Sequence, residues 1–277
     1  MNRQQYTGYK IIKATDPSLD TFYLKPNWNV YFANVGEYVV IEDIKGNPAD
    51  AYCWTGEKYR HITYKPVDNS FTGRVAPRNL EQRLAFDMLQ NEQSTVKTLT
   101  GCFGSGKTFL MVAHAVDLIL NGKFEKIVWV RNNIEVKDTV PLGALPGTAE
   151  EKLAPYVGPL ADHLGGMEAV QDMIFRDQIE IQHLGFIRGR DIKNSIIIST
   201  EAENLTKQHV QLLIGRVGEG SNLWIEGDYS QVDKKVFEDN SGLQRMVDRL
   251  AGDPLFQYVN LPQTERSATA RLADKLD

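Results

Sequence analysis

Gly101-Cys102-Phe103-Gly104-Ser105-Gly106-Lys107-Thr108 is the stretch that decides the fold. Its Gly-x-x-x-x-Gly-Lys-Thr spacing is that of a P-loop, in which backbone N–H groups surround phosphates, the lysine reaches the β and γ oxygens and the threonine hydroxyl faces Mg²⁺. A β-branched run precedes it at 94–100, and a mostly apolar segment free of Pro and Gly follows at 109–120. A helix that starts at the loop directs its positive dipole end towards a bound anion. The sequence therefore predicts a phosphate-binding strand, loop and helix.

The region after residue 79 alternates helical and strand patterns. We predict helices at 80–89, 206–214 and 242–251, and strands at 94–100, 126–130, 179–183, 195–200, 222–226 and 257–261. Strands that alternate with helices form parallel sheets whose two faces are covered. The sequence therefore predicts an α/β fold with a mostly parallel sheet.

The first 75 residues have a different pattern. They contain short β-prone runs separated by Pro, Gly, Asn and Asp, at 9–12, 21–24, 30–32, 37–41 and 59–64, which predicts a small β-rich domain. Its aromatic residues, including Trp28 and Trp54, suit either stacking on bases or filling a small core, and their density favours the core. With a linker expected at 66–77, the predicted domains are residues 1–75 and 76–277.

Composition limits the class of protein. A chain of 277 residues with 42% hydrophobic and 24% charged residues is typical of soluble globular proteins. There is no apolar run of about 20 residues and no signal-peptide pattern, so we expect a cytoplasmic protein without a membrane partner. The two cysteines give no disulfide framework. The net charge of -5 lowers the expectation of tight nonspecific nucleic-acid binding, although a local basic stripe or a ring pore remains compatible with it.

A hydrolytic P-loop protein also needs a metal anchor and a residue that activates water, usually carboxylates that follow a neighbouring strand. The best candidate is the apolar strand that ends at Thr200-Glu201-Ala202-Glu203-Asn204. We predict Glu201 as the base, the alternative being an acidic start to the next helix. Thr200 occupies the position where the metal-binding aspartate is expected.

The stretch at 222–231 is a second strand that ends in polar residues. Asp228 and Gln231 are predicted to contact the γ-phosphate or the attacking water, the alternative being a simple Gly-Asp turn. Phosphoryl transfer is further helped by an arginine supplied by the same chain or by another one. Arg216 and Arg266 are the two candidates for this role.

A basic loop lies between two predicted strands, at 187–193. Its arginines, Arg188 and Arg190, would contact backbone phosphates of a nucleic acid, unless the loop is only a solvated turn. The five histidines show no metal-ligand spacing, so we assign them no catalytic role.

Short motifs follow one another in the order found in PhoH-like ATPases. They are Arg78-Asn79-Leu80-Glu81-Gln82, the P-loop, Val130-Arg131-Asn132, Leu142-Gly143-Ala144-Leu145-Pro146-Gly147 with Glu151-Lys152 and Pro155, Arg188-Gly189-Arg190, Thr200-Glu201-Ala202-Glu203-Asn204, Gly227-Asp228-Tyr229-Ser230-Gln231 and Glu265-Arg266-Ser267. From about Ala76 to its end, the chain therefore resembles the PhoH-like family. The resemblance implies a RecA-like core similar to that of superfamily 1 helicases, a hexameric ring and ATP-dependent RNA unwinding.

The resemblance also implies roles for particular residues. The matching positions are Gln82 for the adenine base, Lys107 and Thr108 for the phosphates and Mg²⁺, Glu201 for the attacking water, Asp228 and Gln231 for the γ-phosphate, Arg216 or Arg266 for a neighbouring subunit's nucleotide, and Arg131, Arg188 and Arg190 for RNA. By the same resemblance, Gly101, Gly104, Ser105 and Gly106 complete the phosphate loop.

The chain departs from the family pattern in two respects. Where the family has Asp-Glu-Ala-Gln-Asn, this chain has Thr200 in place of the first aspartate and Glu203 in place of the glutamine. Threonine lacks the charge that favours Mg²⁺, which predicts weak or slow hydrolysis with nucleotide binding retained. Longer family members also carry an N-terminal PIN ribonuclease domain. Here the β-rich region resembles their connecting module and shows no cluster of four acids, so we do not expect nuclease activity.

Three functions are compatible with these patterns. The favoured one is an ATP-driven motor that acts on RNA or single-stranded nucleic acid as a ring-shaped homo-oligomer. The second is a nucleotide-gated assembly or regulatory module whose hydrolysis is reduced or abolished by Thr200. The third, a small-molecule kinase, is disfavoured because the sequence shows no acceptor-binding lid.

Overall fold

A six-stranded parallel sheet organises the larger part of the computed structural model, which describes residues 5–131, 149–232 and 241–265, with the side chains of 149–156 excepted. Its strands, in chain order, are β7 (Val96–Gly101), β8 (Lys126–Arg131), β9 (Ile179–His183), β10 (Ser195–Ser199), β11 (Asn222–Gly227) and β12 (Phe256–Leu261). The order across the sheet is β12-β7-β11-β10-β8-β9, and every neighbouring pair is parallel. The strand β11 therefore lies between β7 and β10.

Helices cover both faces of this sheet. They are α2 (Leu80–Gln90), α3 (Lys107–Leu120), α4 (Ala149–Leu164), α5 (Met167–Phe175), α6 (Lys207–Ile214) and α7 (Gly242–Leu250). Two hydrophobic clusters result, one on each side, and Trp129 and Trp224 are both fully buried in the one that includes α2 and α3. The predicted α/β architecture with a RecA-like P-loop core is therefore confirmed. Within the described ranges, no helix is both long enough and apolar enough to cross a bilayer.

The N-terminal residues form a small sheet of their own, as predicted. Its elements are β1 (Tyr9–Lys13), α1 (Leu19–Leu24), β2 (Tyr38–Glu42), β3 (Pro48–Trp54) and β4 (Tyr59–His61), and the strand order is β1-β2-β3-β4. Trp54 is buried in its aromatic core, as favoured, whereas Trp28 is about half exposed, with the Lys25 ammonium 3.8 Å from its ring centroid.

Three local predictions in this region are wrong. The run at 21–24 is helical because Phe22 packs against the rings of Tyr31 and Tyr59, a tertiary contact that overrides the β propensity of the segment. The run at 30–32 forms turns, and the strand β3 lies outside the predicted runs, with Pro48 as its first residue. The expected linker at 66–77 instead holds a hairpin of two further strands, β5 (Val67–Asn69) and β6 (Gly73–Val75).

One carboxylate of α2 receives several hydrogen bonds from the N-terminal region. Asp87 accepts two hydrogen bonds from Arg60, both 2.8 Å long, and one from the Tyr38 hydroxyl at 2.9 Å. The Thr63 amide donates a further bond to it at 2.8 Å. Residues of β2 and β3 also share the hydrophobic cluster of α2. The division at residue 75 stays a prediction, because apolar contacts continue across it.

Candidate functional site

The phosphate loop connects the end of β7 to the start of α3, as predicted. Gly101 has a φ of +140°, and a Cβ atom there would lie 2.0 Å from the Leu261 carbonyl oxygen. Gly106 caps α3 with a φ of +92°, and Gly104 has a φ of +76°. Backbone of this shape is open to glycine and strained for other residues. The spacing of the glycines therefore follows from the path of the loop.

Lys107 is held at the centre of the loop. Its ammonium group donates hydrogen bonds to the carbonyl oxygens of Gly101, at 2.8 Å, and Cys102, at 3.0 Å. The hydroxyl of Ser105 is fully buried and has no hydrogen-bond partner among the described residues. A concave backbone with a lysine at its centre is the arrangement that receives phosphate oxygens.

The start of α2 is bonded to this loop through Gln82. The Asn79 side chain caps α2 by accepting from the Gln82 amide at 2.8 Å, and the Gln82 side-chain amide donates to the Ser105 carbonyl at 3.1 Å. Asn79 also donates to the Glu265 carboxylate at 2.6 Å, while the Glu265 amide donates to the Gly104 carbonyl at 3.0 Å. Three segments distant in sequence are thus fixed around the loop.

Gln82 lines a cleft of about 450 Å³ beside the loop. The cleft is also lined by Arg74 and Val75 of β6, by Arg78 and by Phe109. A cleft with an aromatic ring, an amide and guanidinium groups offers both stacking and hydrogen bonds to a planar ligand. The hairpin in the expected linker therefore supplies one wall of this cleft.

A second cleft, of about 300 Å³, lies over the loop at the carboxyl edge of the sheet. Lys107 and Thr108 line one side of it. The other lining residues include Glu201, Glu203, Glu226, Asp228 and Gln231, which follow β10 or end β11. The structure therefore brings the predicted phosphate-binding residues together with the predicted water-activating and γ-phosphate residues.

Glu226 is a member of this group that the sequence analysis missed. It is buried at the end of β11, in the cleft that Thr108 also lines, and the Glu201 amide donates a hydrogen bond to its Oε1 atom at 3.4 Å. Burial raises the pKa of its carboxyl group, and the positive charge of Lys107 opposes that shift. The signal available in the sequence was a carboxylate at the end of an apolar strand, at 222–226.

Glu203 is hydrogen-bonded to the backbone of Asp228. Its Oε2 atom accepts a hydrogen bond from the Asp228 amide at 2.9 Å. Burial, with the negative charges of Glu226 and Glu201, raises the pKa of Glu203 to about 8 against the opposing effect of this hydrogen bond. A Cβ atom at Gly227 would lie 2.7 Å from that oxygen, so the glycine allows the approach.

Asp228 itself presents one free oxygen. Its Oδ1 atom accepts from the Ser230 amide at 2.9 Å and from the Ser230 hydroxyl at 2.6 Å. Its Oδ2 atom is buried and has no partner among the described residues. Gln231 is exposed at the rim of the cleft, and its amide donates to the Asp228 carbonyl at 3.1 Å.

Glu201 forms an ion pair with Arg131, which ends the adjacent strand β8. Glu201 has a φ of +56°, a conformation uncommon outside glycine, and its side chain is about half exposed. Thr200 precedes it, is buried, and has a hydroxyl group without a partner among the described residues. The arginine predicted to contact RNA thus lies directly against the predicted base.

A comparison with protein families assigns the chain. The family model described as PhoH-like protein matches residues 74–273. The chain belongs to the PhoH-like family. It is 32% identical over 297 residues to Protein PhoH2 of Bacillus subtilis strain 168, with 99% of this chain and 65% of that protein aligned. It is 36% identical over 170 residues to a PhoH-like protein of the same organism, covering 60% of this chain and 52% of that one.

This PhoH-like chain therefore spans about half to two-thirds of the length of the relatives it matches. Among solved structures, a Pif1 helicase from Candida albicans aligns with 73% of the chain and 44% of its own, at 16% identity and a TM-score of 0.39.

The remaining predicted arginines of the PhoH-like chain lie away from the loop. Arg190 pairs with Glu180 of β9 at 2.5 Å, and Arg216 donates to the Arg190 carbonyl at 3.1 Å. Both therefore lie near the amino ends of strands, opposite the P-loop edge. Arg188 is exposed and has no ion pair within the described ranges. Arg266 lies outside the described residues.

Proposed function

We propose that the chain binds ATP with Mg²⁺ in the cleft over the P-loop, hydrolyses it, and couples hydrolysis to movement along RNA or single-stranded nucleic acid. We further propose a ring-shaped homo-oligomer, a hexamer by family resemblance, in the cytoplasm, with residues 1–75 as a β-rich unit beside an ATPase unit at 76–277. The observation that carries the proposal is the cleft itself. Lys107 and Thr108 face the carboxylates of Glu201 and Asp228 across it.

The residues of the cleft have separate parts in this reaction. The amides of the loop and the Lys107 ammonium would bind the phosphates, and the Thr108 hydroxyl with a carboxylate opposite would hold Mg²⁺. The ion supplies charge neutralisation at the β and γ oxygens. Glu201 would orient and deprotonate the attacking water. Gln82 would contact adenine in the adjoining cleft.

Nucleic acid would be contacted by Arg131 and by the loop that carries Arg188 and Arg190. Because Arg190 already pairs with Glu180, Arg188 has the more available charge of the two. Arg216 lies at the far edge of the sheet from the P-loop, which suits an arginine that acts on the nucleotide of another subunit. Arg266 remains the second candidate for that part.

Phosphate release with and without single-stranded RNA tests the proposal. We expect ATP turnover that RNA stimulates, and a loss of about 100-fold or more in Glu201→Gln with nucleotide binding retained. The exposed Glu57→Gln is the matched control and should leave turnover unchanged. RNA that neither binds nor stimulates would contradict the motor.

The second candidate function is a nucleotide-gated assembly module, favoured by Thr200 at the position of the expected aspartate. In that case a non-hydrolysable ATP analogue would increase the solution mass, but the wild-type chain would release no phosphate. Sedimentation with and without the analogue, measured beside phosphate release, separates the two functions. Assembly without release would support the switch, and release from an assembled form would support the motor.

A further inference from the structure

The end of β11 carries a carboxylate beside the place where β10 lacks one. Ser199 pairs with Ile225 in the parallel register, so Thr200 and Glu226 are the next neighbours along the two strands. Neighbouring residues of a parallel pair point to the same face and are separated by about 4.8 Å across the sheet. A side chain at 226 therefore reaches the same space as a side chain at 200.

The contacts of Glu226 point towards the P-loop. Its carboxylate lines the same cleft as Thr108, the residue whose hydroxyl faces Mg²⁺ in P-loop proteins, and it lies in the field of Lys107. Its strand, β11, is also the direct neighbour of the P-loop strand β7, with Glu226 opposite Leu99. We propose that Glu226 is the carboxylate that holds Mg²⁺ in this chain, in place of the aspartate that Thr200 replaces.

Two unpartnered oxygens mark the same space as a ligand site. The buried Thr200 hydroxyl and the buried Asp228 Oδ2 have no hydrogen-bond partner among the described residues. Asp228 lines the cleft together with Glu226 and Thr108. Oxygen atoms in this position complete the shell of a hydrated magnesium ion, which retains several water ligands.

The other carboxylates of the cleft have different partners. Glu203 is bonded to the Asp228 amide, and Glu201 is paired with Arg131. Asp228 is bonded to Ser230 through its other oxygen. Glu226 accepts a long hydrogen bond, 3.4 Å, from the Glu201 amide and lines the cleft beside Thr108. Glu226, on the adjacent strand, thereby supplies the negative charge that Thr200 lacks. The slow hydrolysis predicted from Thr200 is then no longer expected.

The inference rests on the proposed nucleotide site, and its test measures binding rather than turnover. The probe is a fluorescent, non-hydrolysable ATP analogue, titrated with excess Mg²⁺ and again with EDTA. We expect Mg²⁺ to tighten binding to the wild-type chain about tenfold or more, and Glu226→Gln to reduce that ratio to about threefold or less. Electron paramagnetic resonance of Mn²⁺ with ADP should show the same loss of bound ion.

Two further variants sharpen the comparison. Glu201→Gln removes a carboxylate from the same cleft and should keep the full Mg²⁺ effect. The exchange variant Thr200→Asp/Glu226→Thr returns the carboxylate to β10 and should regain the effect that Glu226→Gln loses. The exchange retains one acidic group in the buried site, so it also covers the case in which Glu226→Gln does not fold.

The outcomes separate the inference from the proposed function. The inference would be overturned if Glu226→Gln kept the Mg²⁺ effect or if the exchange variant lacked it. Neither result would contradict ATP turnover by the wild-type chain. A wild-type chain that never releases phosphate, but whose Mg²⁺ effect depends on Glu226, would overturn hydrolysis and support the inference. A wild-type chain that binds no analogue would overturn both.

Discussion

Glu203 is the residue whose ionisation matters most for the shape of the cleft. Its folded-state pKa of about 8 lies above the usual 4.5, so the folded state holds a proton that the unfolded state releases. The stability that it contributes is complete below about pH 4.5 and is lost as the pH rises through 8. Ionisation would place a charge beside Glu226 and Glu201.

We therefore expect Glu203→Gln to be stabilising at high pH. Glutamine keeps an oxygen for the Asp228 amide but cannot ionise. As the pH rises from 6 to 9, the free energy of unfolding of wild type should fall by about 1 to 3 kcal/mol more than that of Glu203→Gln. Urea denaturation at the two pH values measures the change. The exposed Glu57→Gln is the control. If the free energies of unfolding of Glu203→Gln and wild type change equally between pH 6 and pH 9, the raised pKa of Glu203 is contradicted.

Arg131 restrains the predicted base, so its removal should raise turnover in the absence of RNA. The ion pair occupies an oxygen of Glu201 and is partly exposed on the Glu201 side. Loss of a pair worth about 1 kcal/mol predicts a rise of roughly fivefold in basal ATP turnover for Arg131→Gln. The same variant should respond less to RNA. Unchanged basal turnover together with full RNA stimulation would exclude this coupling.

At the scale of elements, the phosphate loop depends on a close backbone approach that can be tested by one methyl group. Gly101 and Gly122 both have positive φ angles, but a Cβ atom at Gly101 meets the Leu261 carbonyl, whereas nothing lies within 4 Å of one at Gly122. We expect Gly122→Ala to cost about 1 kcal/mol of stability and Gly101→Ala more than about 3 kcal/mol.

Thermal unfolding with and without an ATP analogue measures that difference. Gly101→Ala should also lose the stabilisation that the analogue gives, since the loop must move away from β12. Equal losses in the two alanine variants would show that φ alone, rather than the approach to Leu261, sets the requirement.

The large elements were predictable from sequence because their signals are local. The P-loop fixed the order of β7 and α3, and apolar runs bounded by turns fixed β8, β10 and β11. The helix α1 and the hairpin β5–β6 were not predicted, because the burial of Phe22, Val67 and Val75 depends on segments distant in sequence.

The site was predictable only to the level of residue types near strand ends. The places of Lys107, Thr108, Glu201 and Asp228 around one cleft follow from strands that end at the same edge. Glu226 was missed because its importance depends on the register of β10 with β11, and register is not visible in a single sequence. The roles of these residues stay predictions.

At the scale of the whole molecule, Asp87 hydrogen-bonds the N-terminal region to the helix α2 of the P-loop core. It receives Arg60, Tyr38 and Thr63 from the N-terminal region while it belongs to α2. Asp87→Ala would leave the Arg60 charge unpaired and should cost about 3 kcal/mol.

Hydrogen exchange measures the effect of Asp87→Ala region by region. Protection should fall in β2, β3 and β4 and persist in the six-stranded sheet. The exposed Asp68→Asn, on β5, is the control and should leave protection unchanged. A uniform loss across both sheets would mean that the two parts unfold as one unit, which would count against a division at residue 75.

The distance of Arg216 from the P-loop predicts complementation between chains. Lys107→Ala removes the phosphate contact and Arg216→Ala removes the proposed arginine, so each variant alone should be inactive. A mixture should recover part of the turnover, because one chain supplies an intact cleft and its neighbour an intact Arg216. If turnover does not recover after mixing and reassembly, Arg216 does not act on the nucleotide of a neighbouring chain.

The parallel sheet gives the molecule a polarity, with the cleft at one pole and Arg216 at the other. Strands of five or six residues separate the poles by roughly 17 to 20 Å, at about 3.3 Å per residue. In a two-fold contact residue i of one copy meets residue j of the other and j meets i, so an antiparallel pair would place each cleft against the partner's Arg216. In a head-to-tail contact each copy would offer its cleft to one neighbour and its Arg216 to another, and the rotation angle between copies would decide between a closed ring and an open filament.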